Sequence, residues 1–231
     1  MKNTIFYFIA ILTISLSYSS CKKSDNGSTT GGLTYSYFPS NIGHELTYDA
    51  ELITKDEFSG NEDTVYFQIK EVIESIISDN EGRPTQRLER YHRSSDTDPW
   101  VIANVWTSNL TSTLAEKKED NITYIKLTFP VTFGKTWDGN SLNNSDLLLY
   151  EYTEINTPGS AGSLSFDSTL TVLQIDEDNF IERIYATERY ATGVGMIYKE
   201  QIEIEKDYTN PSNPGIKSQR LYKETLTSWS N

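Results

Sequence analysis

The chain has 231 residues, with 33 acidic and 20 basic side chains, and its formal net charge is −13. This excess of acid argues against nucleic acid as a partner and against electrostatic adsorption to an anionic bilayer, because both depend on clustered Lys and Arg. A hydrophobic content of 36%, with 12% aromatic residues, is sufficient for a folded core. With one cysteine, no disulfide can form within the chain.

Residues 1–20 have the pattern of a secretory signal peptide. Lys2 supplies a positive start, and the uncharged apolar run from Ile5 to Leu16 is shorter than the roughly 20 residues that a membrane span needs. The segment ends at Cys21 and resembles a bacterial lipoprotein signal, in which cleavage frees this cysteine for acylation, although Tyr18 stands where Leu is usual. The alternative is an ordinary secretory signal with an incidental cysteine.

Residues 21–34 are expected to form the acylated Cys21 and a flexible tether. The stretch from Lys22 to Gly32 is polar and glycine-rich, and random-coil scaling gives it a reach of roughly 18 Å. The lipid is then the membrane attachment. Lys22 and Lys23 disfavour an aspartate-type signal for retention in the inner membrane, so we expect the outer membrane.

Residues 35–231 are expected to form one antiparallel β domain, because alternating apolar and polar residues recur between tight turns. The predicted strands are Glu45–Thr54, Thr64–Ile77, Thr85–Arg93, Trp100–Thr107, Tyr124–Phe129, Leu147–Ile155, Ser165–Ile175, Phe180–Tyr190, Met196–Glu205 and Lys217–Ser228. The turns Asp79–Gly82 and Asp176–Asn179 separate neighbouring strands and favour hairpins.

Two segments carry more specific predictions. Thr64–Ile77 also matches a helical apolar pattern, but its β-branched residues favour a strand with a change of face near Lys70 and Glu71, where a bulge is expected. The stretch from Val194 to Glu205 alternates most clearly. Its apolar positions are predicted to face the core, and its polar positions the solvent. The apolar set is Val194, Met196, Tyr198, Ile202 and Ile204, and the polar set is Lys199, Gln201, Glu203 and Glu205.

A short motif occurs twice in the chain. Phe38-Pro39-x-x-x-Gly43-x-x-Leu46 recurs as Phe129-Pro130-x-x-x-Gly134-x-x-Trp137. Proline cannot donate to a ladder and glycine frees φ, so each copy is suited to a corner before a strand. The echo indicates two pseudo-repeat lobes that meet near residue 129, or else coincidence.

The first copy, from Tyr37 to Gly43 and continuing to Tyr48, resembles the opening of a diffuse group of uncharacterised Gram-negative lipoproteins. Their usual pattern is Phe-Pro-x-x-x-Gly-x-x-Trp-x-Tyr, and Leu46 stands here in place of the Trp. The stretch from Tyr190 to Ile197 resembles a later part of the same group. The resemblance implies an all-β fold with a strongly curved antiparallel sheet or open barrel, like those of periplasmic lipoprotein carriers. A two-sheet β-sandwich and two small β lobes are the alternatives.

Four of the seven arginines lie close together, at Arg83, Arg87, Arg90 and Arg93. On a strand, Arg87 and Arg93 share a face, where they could hold a sulfate, phosphate or acidic sugar through bidentate hydrogen bonds. The alternative is cross-strand pairing with the surplus Asp and Glu, where each exposed pair contributes about 0–1 kcal/mol.

Trp100 and Trp106 are separated by an even number of residues, which predicts that they share one strand face. Aromatic side chains on a sheet can stack on sugar rings, but they also fill cores. Together with the four arginines, these two residues are the candidate ligand-binding residues, for a glycan or an envelope protein.

The segment from Asp138 to Asp146 is rich in oxygen donors, and Asp138, Asn140 and Asp146 are weak candidates for calcium ligation. Clusters of Asn, Asp and Gly are also the ordinary chemistry of loops. With two histidines, His44 and His92, and no free cysteine after acylation, we predict no metal site and no cofactor.

The sequence carries no catalytic signature, and a Gly-x-Ser-x-Gly nucleophile motif does not occur. We therefore expect a non-enzymatic, lipid-anchored binding or assembly component of the cell envelope. The alternatives are a glycan-binding module, a carrier of a lipophilic ligand and a secreted hydrolase. An aromatic groove, an apolar hollow, or a cleft with a His or paired carboxylates would distinguish these three.

Overall fold

The structure, a computed structural model, describes residues 35–209 and 215–231. The predictions for residues 1–34, including acylation of Cys21, lie outside the described residues. In chain order the strands are β1 (Glu45–Asp56), β2 (Asn61–Ser78), β3 (Pro84–Arg93), β4 (Val101–Leu110), β5 (Leu114–Glu119), β6 (Ile122–Thr128), β7 (Thr136–Asp138), β8 (Leu149–Ala161), β9 (Leu164–Asp178), β10 (Glu182–Ala191), β11 (Gly195–Asp207) and β12 (Gly215–Ser230). Within these ranges no helix has the length and apolar character that crossing a membrane requires.

The strands form one antiparallel sheet of 12 strands, in the order β6-β5-β4-β3-β2-β1-β12-β11-β10-β9-β8-β7. It consists of two six-stranded meanders, β1–β6 and β7–β12, joined where β1 pairs with β12. The sheet curls until its two end strands meet. There the Ile125 amide donates to the Gly139 carbonyl at 3.0 Å, and Trp137 Nε1 donates to the Ile125 carbonyl at 3.0 Å. The prediction of an all-β, antiparallel open barrel is confirmed.

The strands run between two ends of the barrel. At one end, which we call the tether end, the described chain starts at Tyr35. The Tyr35 hydroxyl donates to the Ser112 carbonyl at 2.9 Å, and its ring lies 4.7 Å from the ring of Phe129. At the opposite end, which we call the far end, are the turns that connect β1 to β2 and β9 to β10. Any ligand that enters from the far end therefore approaches from the side opposite Tyr35.

The apolar core lies inside the barrel in two main clusters. Within the described residues, ten of its side chains are at most 1% exposed, namely Tyr48, Ile69, Ala115, Leu127, Tyr152, Leu170, Val172, Ala191, Ile197 and Leu226. They lie on opposite parts of the sheet, which fits a curled sheet that buries one face against itself.

All ten predicted strands form, but β5 and β7 were missed. The sequence of β5, Leu-Ala-Glu-Lys-Lys-Glu, has too little apolar alternation to indicate a strand, and β7 is only three residues long. The segment with helical spacing is strand β2, as predicted. Its bulge lies at Glu74, a few residues after the expected position, because the pairing register shifts between Ile73 and Ser75.

Each copy of the Phe-Pro-x-x-x-Gly motif precedes the first strand of one meander. Gly43 has φ +89° and leads into β1, and Gly134 has φ +72° and leads into β7. These left-handed conformations are ones that glycine adopts without steric cost, which explains the motif's glycine.

The face assignment for Val194–Glu205 is wrong beyond its first residues. A β-bulge in the pairing of β10 with β11 makes Ile197 an extra residue, and Ile197 is 0% exposed. After this bulge Lys199 faces the lumen, while Ile202 and Ile204 lie half-exposed on the outer face. The alternation misled because the lumen contains buried charges, as described next.

Candidate functional site in the barrel lumen

Eight ionisable side chains line the lumen. They are Glu71, Glu119, Glu188 and Glu224, and Arg90, Lys117, Lys126 and Lys199. Several pairs join strands that are not neighbours in the sheet, such as β6 with β10 and β3 with β12, so they cross the interior. None of the eight side chains is more than 16% exposed. Equal numbers of acids and bases make this burial possible, because an unpaired buried charge is strongly unfavourable.

One half of this network surrounds Arg90. Its guanidinium pairs with Glu224, and its Nε lies 3.6 Å from a Glu71 oxygen. Lys117 Nζ donates to Glu71 at 2.9 Å. The Trp106 ring lies beneath both cations, 4.4 Å from Arg90 Cζ and 5.0 Å from Lys117 Nζ. Trp106 is therefore a cation–π partner inside the lumen.

The other half surrounds Lys126. Its Nζ donates to Glu188 at 2.7 Å and lies 3.2 Å from Glu119. Lys199 lies 4.0 Å from Glu188, and the Tyr190 hydroxyl donates to the second Glu188 oxygen at 2.5 Å. Glu188 thus has partners on three strands, β6, β10 and β11.

The pairing keeps these groups ionised. Burial by itself disfavours the charged form of Glu188, but attraction to Lys126 and then Lys199 outweighs it, so the pKa is lowered. Burial likewise disfavours the charge on Lys126, but Glu119 and Glu188 raise its pKa well above the ordinary value. Neither group of this pair is therefore poised to exchange a proton near neutral pH.

A small cavity of about 60 Å³ lies between the two halves of the network, and its wall contains charged groups together with apolar side chains such as Leu46 and Leu88. Arg90 Nε and Glu224 Oε2 are buried and have no hydrogen-bond partner within residues 35–209 and 215–231. One water needs at least about 10–15 Å³, whereas pockets for drug-sized ligands measure roughly 300–1,000 Å³. The cavity therefore has room for a few water molecules, and these two atoms are available to bond them.

A larger pocket of about 280 Å³ opens to solvent towards the far end, and we call it the mouth pocket. Its wall combines two glutamines, Gln174 and Gln201, with the ring of Tyr124. The charged half around Lys126 forms its floor. The mouth pocket therefore offers hydrogen-bonding groups and an aromatic ring at one opening.

The two glutamines are not used by the fold. Across the described residues, neither the Gln174 nor the Gln201 side-chain amide has a hydrogen-bond partner, although Gln174 is only 5% exposed. Gln174 is the extra residue of a bulge in β9, and Lys126 is the extra residue of a bulge in β6. Bulges redirect side chains and are frequent beside functional sites, so the two bulge residues, Gln174 and Lys126, are suited to contacting a ligand.

The four predicted arginines separate onto two faces. Arg90 faces the lumen, while Arg83, Arg87 and Arg93 lie outside it. The partners of the outer three are Asp79 and Glu116 for Arg83, Glu74 and Glu89 for Arg87, and Asp96 for Arg93. This geometry favours the cross-strand pairing alternative over an anion site.

Trp100 and Trp106 do not share a face, so that prediction is wrong. The register between β3 and β4 shifts and makes Ala103 an extra residue. Residues an even number apart across Ala103 therefore point to opposite faces of the sheet. Trp106 is in the lumen, whereas Trp100 lies outside, with Arg93 Cζ 4.3 Å and Lys70 Nζ 5.3 Å from its ring.

The weak calcium candidates are engaged within their own loop. Asp138 Oδ1 accepts hydrogen bonds from the amides of Asn140 at 2.9 Å and Leu148 at 3.1 Å. Asn140 Nδ2 donates to the Asp146 carbonyl at 2.7 Å. In the part of the chain that the structure describes, no group of three or more His, Cys, Asp or Glu is arranged to hold a metal.

The two histidines occupy separate structural positions. His44 is 4% exposed, with Nε2 2.9 Å from the Val194 carbonyl. His92 lies 5.4 Å from the Phe67 ring, and burial together with nearby Arg90 lowers its pKa.

Comparison with known proteins gives distant structural likenesses. No family model matches the sequence, and no curated protein matches it. A "putative exported protein with YmcC-like fold" from Bacteroides fragilis NCTC 9343 is 11% identical with a TM-score of 0.47, covering 84% of this chain and 98% of that chain. A "putative lipoprotein" from Parabacteroides distasonis ATCC 8503 is 10% identical with a TM-score of 0.39, at the same coverage of 84% and 98%. These likenesses leave the function open.

Proposed function

We propose that the protein is a non-enzymatic binding component of the cell envelope, held by lipid on Cys21, and that it binds a sugar unit of a glycan in the mouth pocket. The observation that carries the proposal is the pair of unpartnered amides, Gln174 and Gln201, in an open polar pocket. Neither amide is among the buried atoms that lack a hydrogen bond, so both reach solvent in the open pocket, and sugar hydroxyls can take the place of the water bound there.

The chemistry of the wall suits a sugar. Each glutamine amide both donates and accepts, and so does each sugar hydroxyl. Tyr124 adds a ring with a polar tip, which can pack against the apolar face of a sugar and bond its hydroxyls. The volume of about 280 Å³ is just under the usual range for drug-sized ligands, which favours one sugar unit over a long oligosaccharide.

The charged floor supports binding over catalysis. A glycosidase needs one carboxylic acid with a raised pKa beside a second, ionised carboxylate. Here burial of Glu119 is outweighed by Lys126 and Lys199, so its pKa is lowered, and the pKa of Glu188 is lowered in the same way. Both carboxylates are thus held as charged partners of Lys126.

The lumen also counts against a lipophilic carrier. Such a carrier needs an apolar hollow large enough for an acyl chain. The lumenal cavity measures only about 60 Å³, and Arg90, Lys117 and Glu224 line it beside apolar residues such as Leu46 and Leu88. Placing an acyl chain there would separate ion pairs without replacing them.

Saturation-transfer NMR with a panel of neutral and acidic mono- and disaccharides tests the binding proposal. We expect at least one sugar to receive saturation, and Gln174→Leu and Gln201→Leu to abolish the transfer. Gln219→Leu is the matched control, because Gln219 lies half-exposed on β12 outside the mouth pocket. No transfer to any sugar, or equal loss in all three variants, would contradict the proposal.

Metabolic labelling with a fatty acid tests the anchor. We expect Cys21→Ala to abolish labelling and to release the protein from the membrane fraction, since stable attachment requires two or more acyl chains. On a density gradient the unaltered protein should sediment with outer-membrane markers. Labelling that persists in Cys21→Ala would refute the anchor.

A further inference from the structure

Two exposed apolar side chains occupy the same position in the two motif copies. Ile42 immediately precedes Gly43, and Phe133 immediately precedes Gly134. Ile42 is 60% exposed and Phe133 is 68% exposed. A Cβ added at either glycine would meet nothing within 4 Å, so both loop tips project into open space. The motif therefore presents an apolar residue outward, twice.

Both loops lie at the tether end. The first loop follows Tyr35 directly, and the second begins at Phe129, whose ring contacts that of Tyr35 at 4.7 Å. Thirteen residues, 22–34, lie between the proposed acylation site and the domain. The tether expected from their composition would have a root-mean-square length of roughly 20 Å by random-coil scaling, which would hold this end close to the lipid headgroups.

Charge is distributed unevenly between the two ends. Each end of the barrel has twelve strand-terminal residues, one from each strand. Six of the twelve are acidic at the far end, and one, Glu45, is acidic at the tether end. The six are Asp56, Glu119, Asp138, Asp178, Glu182 and Asp207. Residues 35–43 carry no charged side chain, and residues 129–135 carry one, Lys135. The turn between β2 and β3, also at the tether end, carries Asp79 and Glu81, and both pair with Arg83. Most of the excess acid is therefore at the far end, and the two loops themselves present no negative charge to an anionic bilayer.

The far end also has exposed apolar residues, but in acidic surroundings. Phe58 is 102% exposed and follows Asp56 and Glu57 directly. Phe180 and Ile181 are flanked by Asp178 and Glu182. Carboxylates next to an apolar tip oppose insertion between lipids, because charges are costly to move out of water.

We propose that loops 38–43 and 129–134 insert Ile42 and Phe133 into the headgroup region of the bilayer to which the lipid attaches the protein. This inference rests on the proposed anchoring through Cys21. Insertion of both tips fixes the barrel upright, with the mouth pocket facing away from the membrane. The lipid then supplies attachment, and the two loops supply orientation.

Single cysteine labels test the insertion in the full-length acylated protein. Because Cys21 carries the lipid, a new cysteine is the free thiol of the chain, and Ile42→Cys, Phe133→Cys and Phe58→Cys can each take an environment-sensitive fluorophore. All three side chains are exposed, so the substitutions do not disturb the core. The labelled proteins are bound to vesicles of phosphatidylethanolamine and phosphatidylglycerol containing a headgroup nitroxide lipid.

We expect blue-shifted emission and about twofold quenching by the nitroxide at positions 42 and 133, and neither change at position 58. Vesicle flotation, with Cys21→Ala as control, is measured on the same samples. Flotation without quenching at 42 and 133 would overturn the insertion while leaving the anchor intact. A blue shift there without quenching would indicate a protein partner or second copy, and would also overturn it. Loss of flotation would remove the anchor and the insertion together.

Discussion

The most informative stability test removes one charge from the lumen, by Glu188→Gln. Glu188 is 1% exposed and lies 2.7 Å from Lys126. After the substitution Lys126 keeps Glu119, at 3.2 Å, as its one ion-pair partner among the described residues. Removing one partner of a buried pair costs about 3–5 kcal/mol, and because Glu119 remains we expect about 3 kcal/mol. This is a large share of the roughly 5–15 kcal/mol that holds a domain folded.

Urea unfolding followed by tryptophan fluorescence measures this loss, because Trp106 and Trp137 are both buried. The control is Glu62→Gln, which removes the exposed ion pair of Glu62 with Lys55, 3.8 Å apart. This substitution should lower the free energy of unfolding by about 0–1 kcal/mol. The double variant Glu188→Gln/Lys199→Met should be more stable than Glu188→Gln, because Lys199, 4.0 Å from Glu188, no longer lies buried without its acid, while Lys126 keeps Glu119. Equal losses for Glu188→Gln and Glu62→Gln would refute the network argument.

Two further predictions concern packing and pH. Gly139→Ala would place a methyl group in steric conflict with the Tyr150 ring and should lower the free energy of unfolding in urea by about 1–3 kcal/mol. Gly215→Ala, whose added carbon has its nearest neighbour at 3.6 Å, should cost less, and similar losses for the two variants would contradict this. The folded-state pKa of Glu188 is lowered and that of Lys126 is raised, so their stabilisation should be complete between about pH 5 and 10. The stabilisation by Glu188 is lost as the pH falls below about 4.3, the ordinary pKa of Glu, and passes through the lowered pKa of the folded state. The stabilisation by Lys126 is lost as the pH rises above about 10.4, the ordinary pKa of Lys, and passes through the raised pKa of the folded state. A melting temperature that falls steeply between pH 6 and 8 would contradict this.

The fold was largely predictable because most strands alternate and are bounded by recognisable turns. At the turn before Pro84, Asp79 Oδ1 accepts the amides of Glu81 at 2.9 Å and Arg83 at 2.8 Å, the local bonding that its residue types predict. The two missed strands lack that signal. Strand β7 in particular is defined by its pairing with β8, which no local pattern reveals.

The site was less predictable because a single sequence reveals neither the β-bulges nor the pairing of buried acids with buried bases. Sequence reasoning selected Arg90 and Trp106, which the fold brings together, but missed Glu188, Gln174 and Lys199. Each bulge reverses the inward and outward faces, and a buried charge becomes tolerable only when a partner arrives from a distant strand. One usable signal was Lys126, a charge between the apolar residues Ile125 and Leu127.

The most direct test of the central claim is a crystal structure of the protein with the sugar that gives the strongest saturation transfer. The proposal predicts density for one sugar unit in the mouth pocket, with hydroxyls within hydrogen-bond distance of the Gln174 and Gln201 amides. Density for the sugar on the outer face at Trp100, with an empty mouth pocket, would contradict it.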